Sequence, residues 1–301
     1  MDALETVRRL ISSVEGFDGG VLTPLAGGIT NRNFVATLHG RRVVLRLPGE
    51  RTELLAIDRT SEAAMARRAA ELGVGPAVVG ELAEVGTVIT ELVDGTHLEP
   101  AAFIERLAEV VPHLRTFHAS EPISASFPIH RVVEWHARDA SANGVAIPDS
   151  YARLHAVSEQ IEVAFARRPE PMVPCHNDLL PGNVLFGTER IWLLDFEYAG
   201  MNDRYFDLAN LSVNCGLDPA ADEHLLQLYF GGVTRHRWAR LQLMKIMSEL
   251  REGMWAVVQQ AISTLDTDFV GYATQRLENG ERLAAQPDFS KLLDEASTDH
   301  Q

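Results

Sequence analysis

Apolar and charged positions alternate at helical spacing over residues 4–15, which predicts an amphipathic opening helix. From 21 to 47 the pattern shortens. Apolar runs broken by Gly27-Gly28 and His39-Gly40 predict strands at 21–25, 33–38 and 43–47, ended by Pro48-Gly49. Residues 58–72 are rich in Ala and other strong helix formers, and Gly73 stops the helix they predict. Strands at 78–79 and 87–92 lead to the turn signal Asp94-Gly95. Helical patterns then dominate, at 100–118, 131–141, 150–167, 219–230 and 235–264, with a further helix at FDLAN. Among them, 184–186 and 191–196 are apolar stretches separated by Gly187 and a short polar segment, which reads as a hairpin. The tail after Gln286 is polar and is expected to be loosely ordered. The pattern is α+β, with a small β-rich lobe over 1–93 and a larger, mostly helical lobe over 94–301.

Composition agrees with a folded two-lobed protein. The chain has 301 residues, 46% of them hydrophobic and 23% charged. Its formal net charge of −15 repels phosphate backbones, so nucleic acid is not an expected partner, whereas a cationic small molecule is suited to it. Two cysteines, Cys175 and Cys215, make neither a disulfide framework nor a Cys-rich zinc site. The first residues lack a signal-peptide core and no run is long enough to span a bilayer, so a cytoplasmic protein without membrane insertion is expected. The oligomeric state is not legible.

The residues that change the picture lie in HNDLLPGN, 176–183, and in the apolar run ending at Asp195. Asp178 sits in a loop, where a carboxylate can project into a cleft and accept a hydroxyl proton. Pro181-Gly182 turns the chain so that Asn183 points back towards it. Asn183 offers an amide oxygen and Asp195 a carboxylate, both hard ligands for Mg²⁺. His176 is expected to brace the loop. Together they suit transfer of a phosphoryl group from a nucleotide triphosphate such as ATP to a hydroxyl. Two turn residues, Asp178 and Asn183, and a strand end at Asp195 account for the motif more blandly, but the second Asp after an apolar hairpin favours the chemical reading.

The first lobe adds support. Gly28, Thr30 and Asn31 lie in a Gly-Gly turn between two strands, where backbone N–H groups approach phosphate closely. Arg46 stands amid the apolar strand VVLRLP and needs a partner if it faces inward, for which Glu62 of the next helix is the candidate. The chain crossing between lobes at Glu91 and Val93 can offer backbone groups to adenine. Cys175 reads as a small buried hydrophobe beside the loop.

HNDLLPGN followed by WLLDFEYAGMNDRYFDLAN resembles the choline/ethanolamine kinase family, within the wider group of aminoglycoside-phosphotransferase-like and protein-kinase-like folds. LAGGITNRNF, VVLRLPG and IDRTSEAA follow the family's order. The resemblance implies a bilobal protein-kinase-like fold, Asp178 as base, Asn183 and Asp195 as Mg²⁺ ligands, Arg46 with Glu62 at the phosphates, Asp207 supporting the loop, and Glu197 near a second Mg²⁺. It implies an aromatic and acidic cage for an ammonium group. Here Asn214 takes the place of a pocket Glu, and Glu252 that of the first of two Trp, with Trp255 as the second. The expected substrate is a small amino alcohol, choline or ethanolamine first. Another hydroxyl, on an aminoglycoside, thiamine or a sugar, is the alternative. A silent nucleotide-binding protein is less expected because Asp178, Asn183 and Asp195 are all present. The short segment after Asp195 disfavours a protein kinase.

Overall fold

The computed structural model describes residues 3–298 except 13, 18–20, 26–30, 50 and 83–86. Gly28 and Thr30 lie outside the described residues, so the Gly-Gly turn is described only from Asn31 onward.

Five antiparallel strands make the first sheet: β1 (Thr23–Leu25), β2 (Asn31–Leu38), β3 (Arg41–Pro48), β4 (Val78–Leu82) and β5 (Thr87–Glu91), in the order β1-β2-β3-β5-β4. Along β3 the side chains alternate. Val43, Leu45 and Leu47 are buried on one face with Leu10 and Ile11 of α1 (Ala3–Ser12). Arg46 therefore points to the other face, towards the cleft.

After β3 the chain forms a short 3-10 turn (Thr52–Leu55) and α2 (Arg59–Glu71), capped by Asp58, whose side chain accepts from Thr60 N–H. The second lobe holds α3 (Pro100–Glu105), α4 (Leu107–His118), α5 (Ile129–Ala142) and α6 (Asp149–Arg167). Four short strands follow: β6 (Met172–Cys175), β7 (Val184–Phe186), β8 (Ile191–Leu193) and β9 (Gly200–Asp203). β7 and β8 form the expected hairpin, and β6 pairs with β9. The chain ends in α7 (Arg204–Cys215), α8 (Pro219–Phe230), α9 (Arg235–Ile262), α10 (Phe269–Ala284) and α11 (Phe289–Ser297).

Two expectations are corrected. The helix expected over 100–118 breaks at Arg106, which leaves helical geometry. Its guanidinium turns to Glu109, at 2.6 and 2.5 Å, and lies 4.6 Å from the Phe186 ring centre. The tail expected to be loose is instead α11. Phe289, Leu292, Leu293 and Ala296 form a helical stripe packed on the larger core, and Leu292 and Ala296 are buried. No helix was expected past 264, yet α10 packs along α9.

α9 is the axis of the second lobe and is buried on nearly every side, charged residues included. Four of the buried charges pair with a charge on another element: Arg240 with Asp203, Lys245 with Asp222 at 2.6 Å, Glu249 with Arg276 at 3.3 Å and Arg251 with Asp178 at 3.0 Å. Among the described residues, no helix is long and apolar enough to cross a membrane.

Candidate active site

β6 and β9 deliver the loop that carries Asp178. Its first turn is held by backbone donors: His176 N–H and Asn177 N–H each donate at 2.7 Å to the two oxygens of Asp207, at the start of α7. His118 Nε2 lies 2.9 Å from the same carboxylate, and its Nδ1 is 2.6 Å from the Tyr229 hydroxyl. Asn177 has φ 63°, a left-handed geometry that Asn tolerates. It is fixed there by Nδ2 donating to Tyr198 O at 3.0 Å and by Oδ1 accepting from Asn202 at 2.8 Å. His176 is wholly buried, and burial holds its pKa below the ordinary range, so the ring is neutral. Its Nε2 donates to Leu194 O at 2.8 Å, tying the loop to the end of β8.

Asn183 closes the loop. Its Nδ2 donates to Asp178 O at 2.8 Å and reaches Asp178 Oδ2 at 3.3 Å. Its carbonyl accepts from Leu194 N–H at 2.9 Å, which sets it beside Asp195. Asp195 has φ 66° and a half-buried carboxylate. Asp178 is buried, which raises its pKa, while Arg251 opposes that rise.

The first lobe meets these residues from above. Arg46 donates to Asp195 and stands 3.9 Å from Glu62. The closer partner of Glu62 is Arg59, at 2.6 Å. Arg59 also reaches Glu197 at 3.4 Å, and Asn31 Nδ2 donates to Glu197 at 2.8 Å. Burial, then the neighbouring Asp195, pushes the Glu197 carboxyl up to about 8. At the crossing between lobes, Glu91 N–H donates to Ala77 O at 2.8 Å and Leu92 N–H to Arg42 O at 3.0 Å. Those two amides are committed to the sheet region, whereas Val93 takes part in neither bond.

Glu252 and Trp255, expected at the acceptor side, lie on one face of α9. Trp255 Nε1 donates to the Tyr198 hydroxyl at 2.9 Å, and its ring meets Phe269 and Tyr272 edge-on, at 6.0 and 6.2 Å between centres. Tyr272 donates to Glu252 at 3.0 Å. Arg276 lies 5.0 Å from the Tyr272 ring centre and donates at 2.8 Å to Asn214 Oδ1. The three acceptor-side residues expected from sequence thus meet around Tyr272 and Arg276.

The family model for the "phosphotransferase enzyme family" matches residues 21–241, which span the sheet, the loop and Asp195. The chain belongs to the phosphotransferase enzyme family. A choline/ethanolamine kinase family protein of Mesorhizobium loti has 30% sequence identity to it, over 97% of this chain and 98% of that one, with a TM-score of 0.82. Protein LicA of Haemophilus influenzae is 26% identical over 85% of this chain and 78% of its own length. Ethanolamine kinase 2 of Homo sapiens is 25% identical over 81% of this chain and 70% of its own length. The protein-kinase-like fold expected from the sequence is thereby established for this phosphotransferase.

Several site residues escaped the sequence reading. Arg59 gave no signal of its own, because its partners Glu197 and Asn31 are far away in the chain. Tyr198 lay unnoticed inside DFEYAG. Arg251 carried a usable signal: a charge within an almost wholly apolar helix face needs a buried partner.

Both cysteines are buried and free. Burial pushes the Cys175 thiol well up and the Cys215 thiol to about 12, so neither forms thiolate near neutral pH. Native phosphotransferase is expected to resist maleimide at pH 7.5 and to take up two labels in denaturant, read by intact mass. Rapid native labelling of Cys175 would show the loop to be open.

Proposed function

We propose that this phosphotransferase is a small-molecule kinase that moves the terminal phosphoryl group of ATP to the hydroxyl of an amino alcohol, choline or ethanolamine first. The observation that carries the reading is the convergence of Asp178, Asn183 and Asp195 at one point, with the Trp255–Tyr272 aromatic corner joined to it through Tyr198 and Arg251. The resemblance to human ethanolamine kinase 2 and to the Mesorhizobium protein supports the same acceptor class.

The donor set fits a hard divalent cation. Asn183 spends its Nδ2 on Asp178, which leaves Oδ1 as its remaining acceptor, and Asp195 brings a second carboxylate close enough to Glu197 to raise the proton affinity of the Glu197 carboxyl. Asn183 and Asp195, with Glu197 alongside, would hold Mg²⁺. When bound, Mg²⁺ neutralises charge on the nucleotide's phosphate oxygens. Arg46, always charged, exchanges Asp195 for phosphate oxygens, which its planar fork can hold in pairs. The Glu91 carbonyl and the backbone of Val93, which the bonds of the Glu91 and Leu92 amides leave out, would face adenine.

On the acceptor side, Asp178 Oδ1 is occupied by Arg251, so Oδ2 takes the proton of the attacking hydroxyl. The ammonium end lies against Trp255 and Tyr272, whose ring faces attract a cation. The two free thiols and the need for ATP suit a cytoplasmic enzyme. Product formation from choline, ethanolamine, thiamine and kanamycin, measured side by side with ATP and Mg²⁺, tests the reading. Turnover of an amino alcohol is expected, and turnover of neither would sink it. In the same assay Trp255→Ala is expected to raise the KM for the amino alcohol by about 3- to 30-fold with kcat less affected, on the scale of a desolvated cation–π contact.

A further inference from the structure

Arg251 and Glu252 stand side by side on α9, 1% and 3% exposed. Arg251 Nη1 makes two hydrogen bonds, at 2.6 Å to Glu252 Oε1 and at 3.0 Å to Asp178 Oδ1. The guanidinium centre lies 4.3 Å from the Tyr198 ring centre. Glu252 Oε1 also accepts from Asn210 Nδ2 at 3.3 Å. Asn210 Oδ1 in turn accepts at 2.6 Å from the N–H of Leu179, the residue after Asp178. The bonds close a ring: Asp178, Arg251, Glu252, Asn210, Leu179 and back along the chain to Asp178.

We propose that Arg251 and Glu252 work as one positioning unit for Asp178, in which Glu252 anchors the guanidinium and the guanidinium aims the carboxylate. The proposal rests on the phosphoryl-transfer reading above and adds to it. Glu252 then does not bind the ammonium itself. Its two oxygens already serve three donors, Arg251, Asn210 and Tyr272, and its charge is met by Arg251. Recognition of the cation falls to the ring faces of Trp255 and Tyr272. Arg251 gives up no proton; it holds Oδ1 so that Oδ2 faces the hydroxyl. Such a unit is sensitive to small displacements, because a shift of about 1 Å at a reacting group can cost on the order of a hundredfold in rate.

The test compares Arg251→Met, Arg251→Lys, Glu252→Gln and the double variant Arg251→Met/Glu252→Gln, with kcat and KM measured on the hydroxyl substrate that the wild type phosphorylates. Arg251→Met is expected to lose about a hundredfold in kcat and Glu252→Gln about tenfold or more, with KM for the hydroxyl substrate within about threefold of wild type. Arg251→Lys is expected to recover part of the loss, since it restores the charge and one nitrogen that can donate to both carboxylates, as Nη1 does, but not the planar guanidinium against the Tyr198 ring. The double variant is expected to be no worse than Arg251→Met, as members of one unit are not additive. A tenfold rise in KM with kcat preserved in Glu252→Gln overturns the proposal, because Glu252 would then be a direct ligand of the ammonium. Additive losses in the double variant, or wild-type kcat in Arg251→Met, also overturn it while leaving phosphoryl transfer standing. Should Arg251→Met fail to fold, Arg251→Lys and Glu252→Gln decide by the same split of kcat from KM. A wild type that phosphorylates no hydroxyl overturns both readings.

Discussion

Asp178→Asn is expected to lose turnover by roughly a thousandfold, within the 10²–10⁴ range that a positioned general base contributes. Nucleotide binding is expected to persist, because Asp178 lies on the acceptor side of Asn183 and faces Arg251, not Arg46 or Asp195. The amide keeps the size of the carboxylate and can still accept from Arg251, so the ring around it should remain closed. What it lacks is the basicity that burial gives the carboxylate. ATP turnover with the preferred amino alcohol measures the first effect, and calorimetric titration of a nucleotide with Mg²⁺ measures the second. Turnover near wild type in this variant removes Asp178 from the base role. Loss of nucleotide binding moves it to the other side of the reaction.

Asp207→Ala is expected to be the most damaging change that touches neither substrate. Asp207 is wholly buried and accepts from His176 N–H, Asn177 N–H and His118. It also stands in the first turn of α7, where a negative charge is favoured. Removing it leaves two buried backbone donors without partners. That costs on the order of 3 kcal/mol, since hydrogen bonds to a charged group contribute about 1.5–3 kcal/mol each and the orphaned donors can only partly find water. For a chain of 301 residues, this corresponds to a fall in Tm of about 5 °C. Turnover measured well below the new Tm is expected to drop about a hundredfold, because the loop that aims Asp178 is no longer held. An unchanged thermal midpoint would mean that the loop is fixed by its other bonds, chiefly those of Asn177 and His176.

How much of this was legible depended on the distance between partners in the chain. The loop could be read because Asp178 and Asn183 are five residues apart and Pro181-Gly182 dictates the turn between them. The hairpin followed from two apolar runs on either side of Gly187, and Arg46 from its place as a charge amid an apolar strand. Arg46 was expected to pair with Glu62. In the structure it reaches Glu62 only at 3.9 Å and hydrogen-bonds Asp195, 149 residues away. No local pattern encodes such a pairing. The same holds for Asn31 with Glu197, separated by 166 positions, and for the contacts of Arg59 with Asn31 and Glu197. The polar tail misled for another reason: a nine-residue stripe of four apolar positions is too short to signal a helix until α6 and α9 give it a surface. Glu252 posed a related problem, since its neighbours suggested either a solvated carboxylate or a pocket. It is neither solvated nor unpaired, and only the fold supplies the donors that surround it.

The strap between β3 and α2 divides the molecule differently from the order of the chain. Leu55 and Ile57, together with Met65, Ala69 and Val74, share the apolar core of the helical lobe, while the five-stranded sheet keeps a core of its own with α1. In packing terms Glu62 and Arg59 therefore belong to the jaw that carries Glu197 and the loop, and Arg46 belongs to the opposite jaw. The seam of the molecule runs between Arg46 and Glu62, not through the crossing at Glu91 and Val93. If the jaws part, the Arg59–Glu62–Glu197 cluster keeps its shape, and Arg46 and Asn31, both on the sheet, are withdrawn. On the proposed function, tilting the sheet adjusts the grip on phosphate and leaves the hydroxyl-activating half of the reaction undisturbed.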